Sequence, residues 1–269
     1  MSLANDLKQL GSPVVAGTSR ILILDIECLK GTAEVRFWGL SDYKHRRIHH
    51  HDVTEWPRSI CAAWRWYGTK KIEFAAEWQP SGRDGMIQRT WDAYDRADVV
   101  VGHNIDGFDS KILKGDWKLA GLDTPRPWKS VDTLKIVRRE FRFESNTLDS
   151  LCERFGIGGK EDHYDPQVAQ AAVEGDRDAQ RRIRLYCSGD VEKTEMFYDA
   201  LRGSIPNHPH VGTFGDGKRC NQCGSEDLKL QPSKYRAVVL DYALYRCQAC
   251  GSNVRGGWQA RAASTRGVR

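Results

Sequence analysis

The sequence predicts an α/β domain followed by a small second domain. Segments rich in Ile, Val and aromatic residues come first, as in strands, and helical spacing of apolar residues begins near residue 85. Charge divides the chain as well. Residues 203–269 hold ten Lys and Arg against four Asp and Glu, whereas residues 1–202 are nearly balanced. Two Cys-x-x-Cys pairs lie in the basic segment and indicate a metal-binding module.

The overall composition is typical of a globular protein. The 269 residues carry a formal net charge of +5, with 40% hydrophobic and 29% charged residues. These values argue against a disordered or fibrous chain. No apolar run approaches the roughly 20 residues that span a bilayer, so we expect no membrane partner. Residues 1–19 lack the apolar stretch of a secretion signal and predict a flexible tail.

The first strands are predicted from residue type and spacing. Residues 20–28, RILILDIEC, begin with a run of Ile and Leu that is typical of a strand buried on both faces. Segments rich in β-branched and aromatic residues predict three more strands, at 34–40, 59–68 and 71–78. Gly68 and Thr69 predict a tight turn between the last two, and the polar stretch 41–56 predicts a loop.

Helices follow, with one more strand among them. Apolar residues from Ile87 to Tyr94 have helical spacing, and ADVVVG at 97–102 predicts a short strand. Further helices are expected at 109–119, 148–155 and 176–202. Asn146 is the expected N-cap of the second of these, and Gly156 its end. Strands followed by helices predict a layered α/β domain.

Asp25 and Glu27 lie at the end of the first predicted strand. Residues two apart on a strand point to the same face, so we expect the two carboxylates to be neighbours. Like charges at the end of a buried strand repel and lose hydration, and they need a counter-charge. A divalent cation supplies one, because hard cations prefer carboxylate oxygens. A polar strand end neutralised by Arg or Lys is the alternative.

Asp190 interrupts an apolar stripe on the longest predicted helix. The residues of this stripe have helical spacing and are Ile183, Cys187, Asp190, Thr194, Phe197 and Leu201. Tyr186 lies one turn before Asp190, so its hydroxyl can share a site with that carboxylate. An exposed acid at the edge of the stripe, with an ordinary core tyrosine, is the alternative.

Asp109 begins a predicted helix that follows a short strand and a loop. The segment reads VVVGHNIDGFDSKIL over residues 99–113. Asp109 either caps its own helix or directs its carboxylate at the end of the neighbouring strand.

The three acidic segments together resemble the DEDD superfamily of 3′→5′ exonucleases, which have an RNase H-like fold. Asp25 and Glu27 are similar to the Asp-x-Glu of the first motif. Asn104, followed by the aromatic-acid pair Phe108 and Asp109, is similar to the second. The resemblance implies a mixed sheet flanked by helices.

The third motif resembles the tyrosine class of this superfamily. Tyr186-x-x-x-Asp190 matches that class, because the histidine form would place His at position 185, which is Leu here. The resemblance extends over about residues 20–202. It is closest to the exonuclease domains of B-family DNA polymerases and to stand-alone phage-type relatives. We therefore expect a cytoplasmic protein, in the host cytoplasm if a phage encodes it.

The resemblance implies a catalytic centre with two Mg²⁺ or Mn²⁺ ions. Its metal ligands and catalytic acids would be Asp25, Glu27, Asp109 and Asp190. Two such ions stabilise the charge that develops during phosphodiester hydrolysis. Tyr186 is the further catalytic residue and would orient the attacking water. Asn104 and Phe108 flank Asp109 and are the expected substrate-binding residues.

Three nearby residues carry less weight. Many relatives have Thr directly after the first-motif Glu, whereas this chain has Cys28, which leaves the contacts to the terminal nucleotide in question. Asp106 is a second acid in the middle motif, but it falls in the loop before the helix. Asp132 is a candidate for a supporting role and is not counted among the site residues.

The C-terminal cysteines predict a zinc ribbon at residues 212–269. The four expected ligands of one structural Zn²⁺ are Cys220, Cys223, Cys247 and Cys250. Each pair is followed by Gly, and 23 residues separate the pairs, a spacing typical of such ribbons. Residues 235–247 predict strands of a small sheet. Disulfide bonds are the alternative.

Other polar and aromatic residues are given ordinary structural roles. Three adjacent side chains, His49, His50 and His51, are not expected to converge and predict a solvated loop. Trp64 and Trp66 share a face of a strand and predict core packing rather than stacking on bases.

The expected function is a metal-dependent 3′→5′ exonuclease acting on single-stranded or frayed DNA in replication, repair or proofreading. An exoribonuclease and an inactive nucleic-acid-binding adaptor are the alternatives. The expected partner is DNA with single-stranded 3′ ends. RNA and a DNA polymerase or another replication protein are the further candidates. The nuclease domain is expected at 20–203, joined by a linker at 204–211 to the ribbon, whose basic side chains suit phosphate contacts or a protein partner.

Overall fold

A computed structural model describes most of the chain. The described residues are 19–36, 48–159, 163–209, 211, 218–237 and 240–262. Except for residue 19, the predicted tail lies outside them, as do residues 37–40 of the strand predicted at 34–40 and residues 41–47 of the predicted loop. Residues 34–36 are irregular. Within the described ranges, no helix is both long and apolar enough to cross a membrane.

Seven strands belong to the first domain. They are β1 (Ile21–Leu29), β2 (Thr32–Ala33), β3 (Val53–Glu55), β4 (Arg58–Trp66), β5 (Ile72–Ala76), β6 (Val99–Gly102) and β7 (Lys129–Asp132). The central sheet has the order β5-β4-β1-β6-β7, while β2 and β3 form a separate hairpin. The prediction of a loop over 41–56 was therefore wrong at β3. A strand of three residues is too short to show an alternating pattern in the sequence.

The central sheet is mixed. β1 pairs antiparallel with β4 and parallel with β6, β4 and β5 are antiparallel, and β6 and β7 are parallel. The turn between β4 and β5 has Gly68 at φ +77°, as predicted for a tight turn. The mixed five-stranded sheet, flanked by helices, confirms the predicted α/β fold class.

Within the described part of the chain, six helices flank this sheet. They are α1 (Gly82–Arg96), α2 (Asp109–Leu119), α3 (Thr133–Glu140), α4 (Leu148–Arg154), α5 (Pro166–Glu174) and α6 (Arg177–Leu201). Spacing predicted α1, α2, α4 and α6. It did not predict β2, β7, α3 or α5, which are short elements with too few residues to show a clear period.

The two faces of β1 bury different layers. Leu22, Leu24 and Ile26 pack with side chains from α1 and α2. Ile21 and Ile23 belong to the layer that contains α3 to α6. Because side chains alternate along a strand, Asp25 and Glu27 point towards this second layer. The register of β1 against β4 shifts between Glu27 and Cys28, directly after the two acids.

The N-cap of α4 differs from the prediction. The Thr147 hydroxyl, rather than the Asn146 side chain, accepts a hydrogen bond from the Ser150 N–H at 3.4 Å. The carbonyl of Asn146 instead lies 2.9 Å from Nε2 of His103. The predicted end of the helix is confirmed, because Gly156 has φ +70°, a conformation that glycine adopts without strain.

The C-terminal segment forms its own antiparallel sheet. Its strands are β8 (Leu228–Ala237), β9 (Leu240–Cys247) and β10 (Asn253–Ala262), with β9 in the centre. This confirms strands within the segment predicted at 235–247. Tyr235 of β8 stands opposite Tyr242 of β9, so aromatic side chains face each other across the two strands.

The C-terminal sheet docks against the end of α6. The Gln222 amide donates to the Ile205 carbonyl at 2.8 Å, and the Val211 N–H donates to the Asn221 carbonyl at 2.9 Å. Ile205 and Val211 are both buried in the core of the first domain. The described residues between the two domains therefore pack into the structure and fix the orientation of one domain on the other.

A buried histidine completes this junction. His208 Nε2 accepts a hydrogen bond from the Tyr198 hydroxyl at 2.6 Å, and its Nδ1 donates to the Pro209 carbonyl at 2.7 Å. Burial lowers the pKa of His208 to about 4. The imidazole is therefore neutral at pH 7, as one donor and one acceptor require.

Candidate functional site

Two acids and one thiol meet at the end of β1. Carboxylate oxygens of Asp25 and Glu27 and the Cys187 sulfur all lie within 4.8 Å of one another. The thiol of Cys187 also lies 3.5 Å from the Asp25 carbonyl oxygen. Asp25 and Glu27 are brought together by strand alternation, as expected, and α6 adds Cys187 because its apolar stripe packs on the same face of the sheet.

Asp109 reaches the same strand from the opposite layer. Its Oδ1 accepts a hydrogen bond from the Ile26 N–H at 3.2 Å, so it lies beside the backbone between Asp25 and Glu27. Asp109 is 4% exposed, and burial raises its pKa to about 7. Asp132 adds a further, smaller increase through charge repulsion.

Asp190 lies in the buried stripe of α6. The whole stripe is less than 9% exposed, and Asp190 is 7% exposed. This burial excludes the alternative of an exposed acid at the edge of the stripe. Asp190 is three residues after Cys187, so the two side chains share one face of the helix. Tyr186 is half-buried and lies one turn before Asp190.

The donor chemistry of these residues fits a hard divalent cation. Glu27, Asp109 and Asp190 are buried acids, and Asp25 is partly exposed at the same strand end. Only Asp25 and Glu27 belong to the tight group with Cys187, and Asp109 and Asp190 stand outside it within the described chain. A cation here would offset the charge repulsion, and it would reverse the pKa increase at Asp109.

Asp132 organises the loop that precedes Asp109. Its Oδ1 accepts from the Asn104 N–H at 3.1 Å, and its Oδ2 accepts from the Asp106 N–H at 3.2 Å. The same Oδ1 also caps α3 by accepting from the backbone of Leu134 and Lys135. One carboxylate thus ties the loop to a helix end, a role that its position in the sequence did not establish.

The two acids of this loop have different surroundings. Asp106 pairs with Lys135 at 2.8 Å near the surface, whereas Asp109 lies buried against β1. Of the two, Asp109 is the one that hydrogen-bonds β1, and its preference as a site residue stays a prediction. Asn104 adopts φ +70°, and a Cβ at Gly107 would stand 2.3 Å from the Asn104 side-chain oxygen. A side chain at position 107 would therefore require the Asn104 side chain to move.

Phe108 and Cys28 differ in their availability to a ligand. Phe108 is 44% exposed and directly precedes Asp109. Cys28 is mostly buried, and this burial, with the charges of Asp109 and Glu27, raises the pKa of its thiol. Cys28 therefore stays a neutral thiol, which is a weak hydrogen-bond donor.

Tyr164 is a neighbour of the site that the sequence did not reveal. Its hydroxyl donates to the Cys28 carbonyl at 2.5 Å. Burial and the nearby charge of Glu27 raise the pKa of Tyr164 to about 12. No local pattern links the two residues, which lie 136 positions apart. Cys187 was signalled by its place in the α6 stripe, but Tyr164 had no such signal.

The four C-terminal cysteines form a compact cluster. Their sulfurs lie within 4.8 Å of one another, and the Cys220–Cys250 and Cys223–Cys247 pairs are 3.7 and 3.6 Å apart. A tetrahedral zinc with Zn–S of about 2.3 Å requires sulfurs about 3.8 Å apart. Disulfide sulfurs would be about 2.05 Å apart, so the cluster fits zinc and not the disulfide alternative.

The two Cys-x-x-Cys turns have the same backbone geometry. Gly224 N–H donates to the Cys220 carbonyl at 2.9 Å, and Gly251 N–H donates to the Cys247 carbonyl at 3.0 Å. Both glycines have φ near +75°, at 76° and 73°. Hydrogen bonds among the sulfurs lower the pKa of the Cys220 thiol and raise the pKa values of the Cys223 and Cys250 thiols. A bound zinc ion would favour the thiolate form of all four.

The histidine triplet was predicted wrongly in one respect. The ring nitrogens of His49, His50 and His51 do converge within 4.8 Å, because a 3₁₀ turn at His50–Asp52 curls the backbone. All three side chains are exposed, as predicted. Trp64 is 3% exposed and Trp66 packs against the same core, which confirms their structural role.

Comparison with solved structures shows that the chain is distantly similar to a family B DNA polymerase. No protein-family model matches the chain, and no curated protein matches it. The family B DNA polymerase from the hyperthermophilic archaeon Pyrobaculum calidifontis is similar with 18% identity and a TM-score of 0.49. The match covers 68% of this chain and 24% of the polymerase chain, so this chain spans about a quarter of that protein. A similarity this distant carries no information about activity.

Proposed function

We propose that this protein is a metal-dependent 3′→5′ exonuclease that hydrolyses single-stranded or frayed DNA. The observation that carries the proposal is the pair of neighbouring carboxylates at the end of β1, with a third acid bonded to the backbone between them. Asp25 and Glu27 come from β1, Asp109 reaches the Ile26 backbone from α2, and Asp190 comes from the buried stripe of α6. Burying acids close together costs free energy, because they repel each other and lose hydration. Such arrangements are therefore typical of functional sites.

Asp25, Glu27, Asp109 and Asp190 would hold two Mg²⁺ or Mn²⁺ ions. Bound there, the ions would stabilise negative charge on the attacking and leaving oxygens and lower the pKa of the attacking water. Tyr186 lies one turn from Asp190, and its hydroxyl can hold that water in line with the phosphate. A phenol has a reference pKa of about 10, so Tyr186 orients the water and does not remove its proton at pH 7.

The substrate end would lie beside the loop before α2. Phe108 is exposed next to Asp109, and an exposed aromatic ring can stack on a base without regard to sequence. Asn104 belongs to the loop that Asp132 holds in place. Both residues are proposed to bind the 3′-terminal nucleotide, and the neutral thiol of Cys28 would give a weaker contact than Thr.

The proposed domain division gives the nuclease residues 20–203 and the ribbon residues 212–269, with a short linker at 204–211. One structural Zn²⁺ would complete the ribbon, and the basic side chains of the ribbon would contact phosphates of the strand. Replication, repair or proofreading beside a DNA polymerase would supply frayed 3′ ends. The location proposed is the cytoplasm, that of the host if a phage encodes the chain.

The decisive assay follows 5′-labelled single-stranded DNA, duplex DNA and RNA with and without Mn²⁺ or Mg²⁺. We expect stepwise shortening of DNA from the 3′ end only with metal present, and loss of cleavage in Asp25→Ala and Asp190→Asn. Asp84→Asn is the control, because Asp84 is an exposed acid in the first turn of α1 and does not belong to the proposed site. DNA ends that stay intact under all metal conditions would refute the proposal.

RNA is the second candidate substrate, since the same acids can act on either backbone. Preferred cleavage of RNA in this assay would indicate an exoribonuclease. Binding without any cleavage would indicate an adaptor. Full activity in Asp25→Ala would reveal a contaminating nuclease instead.

A further inference from the structure

An open groove runs along the exposed side of α6, next to the proposed catalytic acids. Its volume is about 720 Å³, within the range of about 300–1,000 Å³ that is usual for ligand sites. Tyr186 and Asp190 line the groove. The segment after α4, with Ile157 and Gly159, forms its other wall. The groove is therefore continuous with the site where cleavage is proposed.

The floor of this groove has apolar side chains at both ends and a gap between them. Leu185 is 67% exposed and Met196 is 52% exposed, both high values for large apolar side chains. Gly189 lies between them on the same helical face, four residues after Leu185 and seven before Met196. A Cβ at Gly189 would meet no atom within 4 Å, so the missing side chain leaves open space.

Glycine in the middle of a long helix is unfavourable without a reason. It is about 1 kcal/mol worse than alanine in a helix interior. In this helix no neighbouring group requires the small residue, because the space above Gly189 is empty. Gly189 directly precedes Asp190 in the sequence, so the open space adjoins the proposed catalytic centre.

The charges of the groove suit a phosphate backbone. Two of its acids are neutralised by partners, since Asp178 pairs with Arg181 at 3.1 Å and Glu192 pairs with Arg65 at 2.8 Å. Asp190 is assigned to the metal ions. Arg182 and Lys193 then supply positive charge on either side of Gly189. The Lys193 ammonium group donates a hydrogen bond to the Gly159 carbonyl at 2.7 Å, and this contact holds it against the wall of the groove.

We propose that Gly189 opens a nucleotide-binding subsite in which a base of the substrate strand packs over α6 between Leu185 and Met196. Arg182 and Lys193 contact the flanking phosphates. The inference rests on the proposed exonuclease function and adds a positioning residue for the substrate strand. Apolar packing and phosphate contacts make the subsite tolerant of sequence, as is usual for single-strand binding.

The test fills the subsite without disturbing the fold. Gly189→Leu adds a side chain where the structure has open space. Gly115→Leu is the matched control, because Gly115 is also exposed within a helix, with no atom within 4 Å of an added Cβ. Binding of 5′-labelled oligothymidylate of about 12 nucleotides is measured by anisotropy, with Asp25→Ala present in every protein to prevent cleavage.

We expect Gly189→Leu to weaken binding about tenfold or more, the effect of losing one packed base, while Gly115→Leu binds normally. Gly189→Ala should weaken binding less than Gly189→Leu, while its thermal midpoint should rise because alanine favours the helix. Weaker binding by a more stable protein would show that the subsite is blocked and that the protein is not misfolded. Lys193→Gln should lower the salt dependence of binding by about 0.7 in log–log slope, as for one lost phosphate contact.

Equal binding by the Gly189→Leu and Gly115→Leu proteins would overturn the subsite. The exonuclease proposal would survive that result, provided that the protein without Asp25→Ala still shortened DNA from the 3′ end. A protein that shortened no DNA, yet lost binding only in Gly189→Leu, would retain the subsite and refute the nuclease.

Discussion

The Ile26 N–H donates a hydrogen bond to the Asp109 carboxylate at 3.2 Å. This contact ties the first residue of α2 to the middle of the Asp25-Ile26-Glu27 sequence. It brings an acid from the α2 layer to the backbone of β1 between Asp25 and Glu27. The hydrogen bond also holds Asp109 in a buried position, where burial raises its pKa to about 7.

Asp109→Asn should stabilise the protein when no divalent cation is added. The folded-state pKa is raised from 3.8 to about 7, so the native protein loses stability as pH rises through that window. Asparagine can still accept from the Ile26 N–H but carries no charge. The variant should therefore gain up to about 4 kcal/mol over the parent at pH 8 and little at pH 4, by urea unfolding. A pH-independent difference would contradict this origin, and DNA cleavage should be lost.

Asp106→Asn should leave cleavage nearly intact. Asp106 pairs with Lys135 near the surface, and such pairs contribute about 0–1 kcal/mol. Its carboxylate does not contact β1 in the described structure, whereas that of Asp109 does. Initial rates on 5′-labelled single-stranded DNA should fall less than about threefold, compared with about 10³-fold or more in Asp109→Asn. Equal losses in both variants would reject the assignment of Asp109.

Asp132→Ala should destabilise the loop before Asp109. The change removes four backbone hydrogen bonds accepted by one carboxylate, so the free energy of unfolding should fall by about 2–4 kcal/mol. Asp132→Asn keeps Oδ1, which accepts three of the four hydrogen bonds. Its free energy of unfolding should therefore lie between those of the parent and Asp132→Ala. Urea denaturation measures both. An Asp132→Asn protein no more stable than Asp132→Ala would exclude this explanation.

Zinc should be required for the C-terminal module. Purified protein is expected to contain one Zn²⁺, and Cys223→Ser should lose it, because four sulfurs form the cluster. The thermal midpoint should fall too, since the ribbon docks on Ile205 through Gln222. Cys152→Ala is the matched control, a buried thiol away from the cluster, and should keep its zinc. Metal content by mass spectrometry decides the question, and retained zinc in Cys223→Ser would contradict the assignment of four cysteine ligands.

Ribbon charge should control the salt dependence of DNA binding. Lys229 and Lys234 are exposed on β8. Replacing both with Gln should reduce the log–log slope of binding against salt by up to about 1.4, equivalent to two phosphate contacts on a single strand. The pair Lys111→Gln and Lys118→Gln, exposed on α2, serves as the control. If the two pairs changed the slope equally, the ribbon would have no special role.

Local patterns carried much of the prediction. Alternation along β1 indicated that Asp25 and Glu27 share a face, and helical spacing indicated the α6 stripe, which is buried throughout. The two Cys-x-x-Cys turns and their positive-φ glycines followed from spacing as well. These features depend on residues within about one turn of each other, so the sequence itself records them.

Other features depend on packing between distant segments. β7 becomes a strand because β6 pairs with it, and Tyr164 meets Cys28 across 136 positions. The hydrogen bond between Asp109 and the Ile26 backbone joins residues 83 positions apart. A sequence without its fold records none of these pairings, since sheet order and side-chain contacts arise from the whole chain.

The sequence by itself determined the residue types of the site: four acids and a tyrosine in three spaced segments, and four cysteines in two turns. Tertiary structure decided their surroundings. It set Asp109 against the Ile26 backbone, added Cys187 to Asp25 and Glu27, and docked the ribbon on the end of α6. The physical reason is that periodicity is a property of neighbouring residues, whereas burial, pKa shifts and interdomain contacts require elements brought together from across the chain.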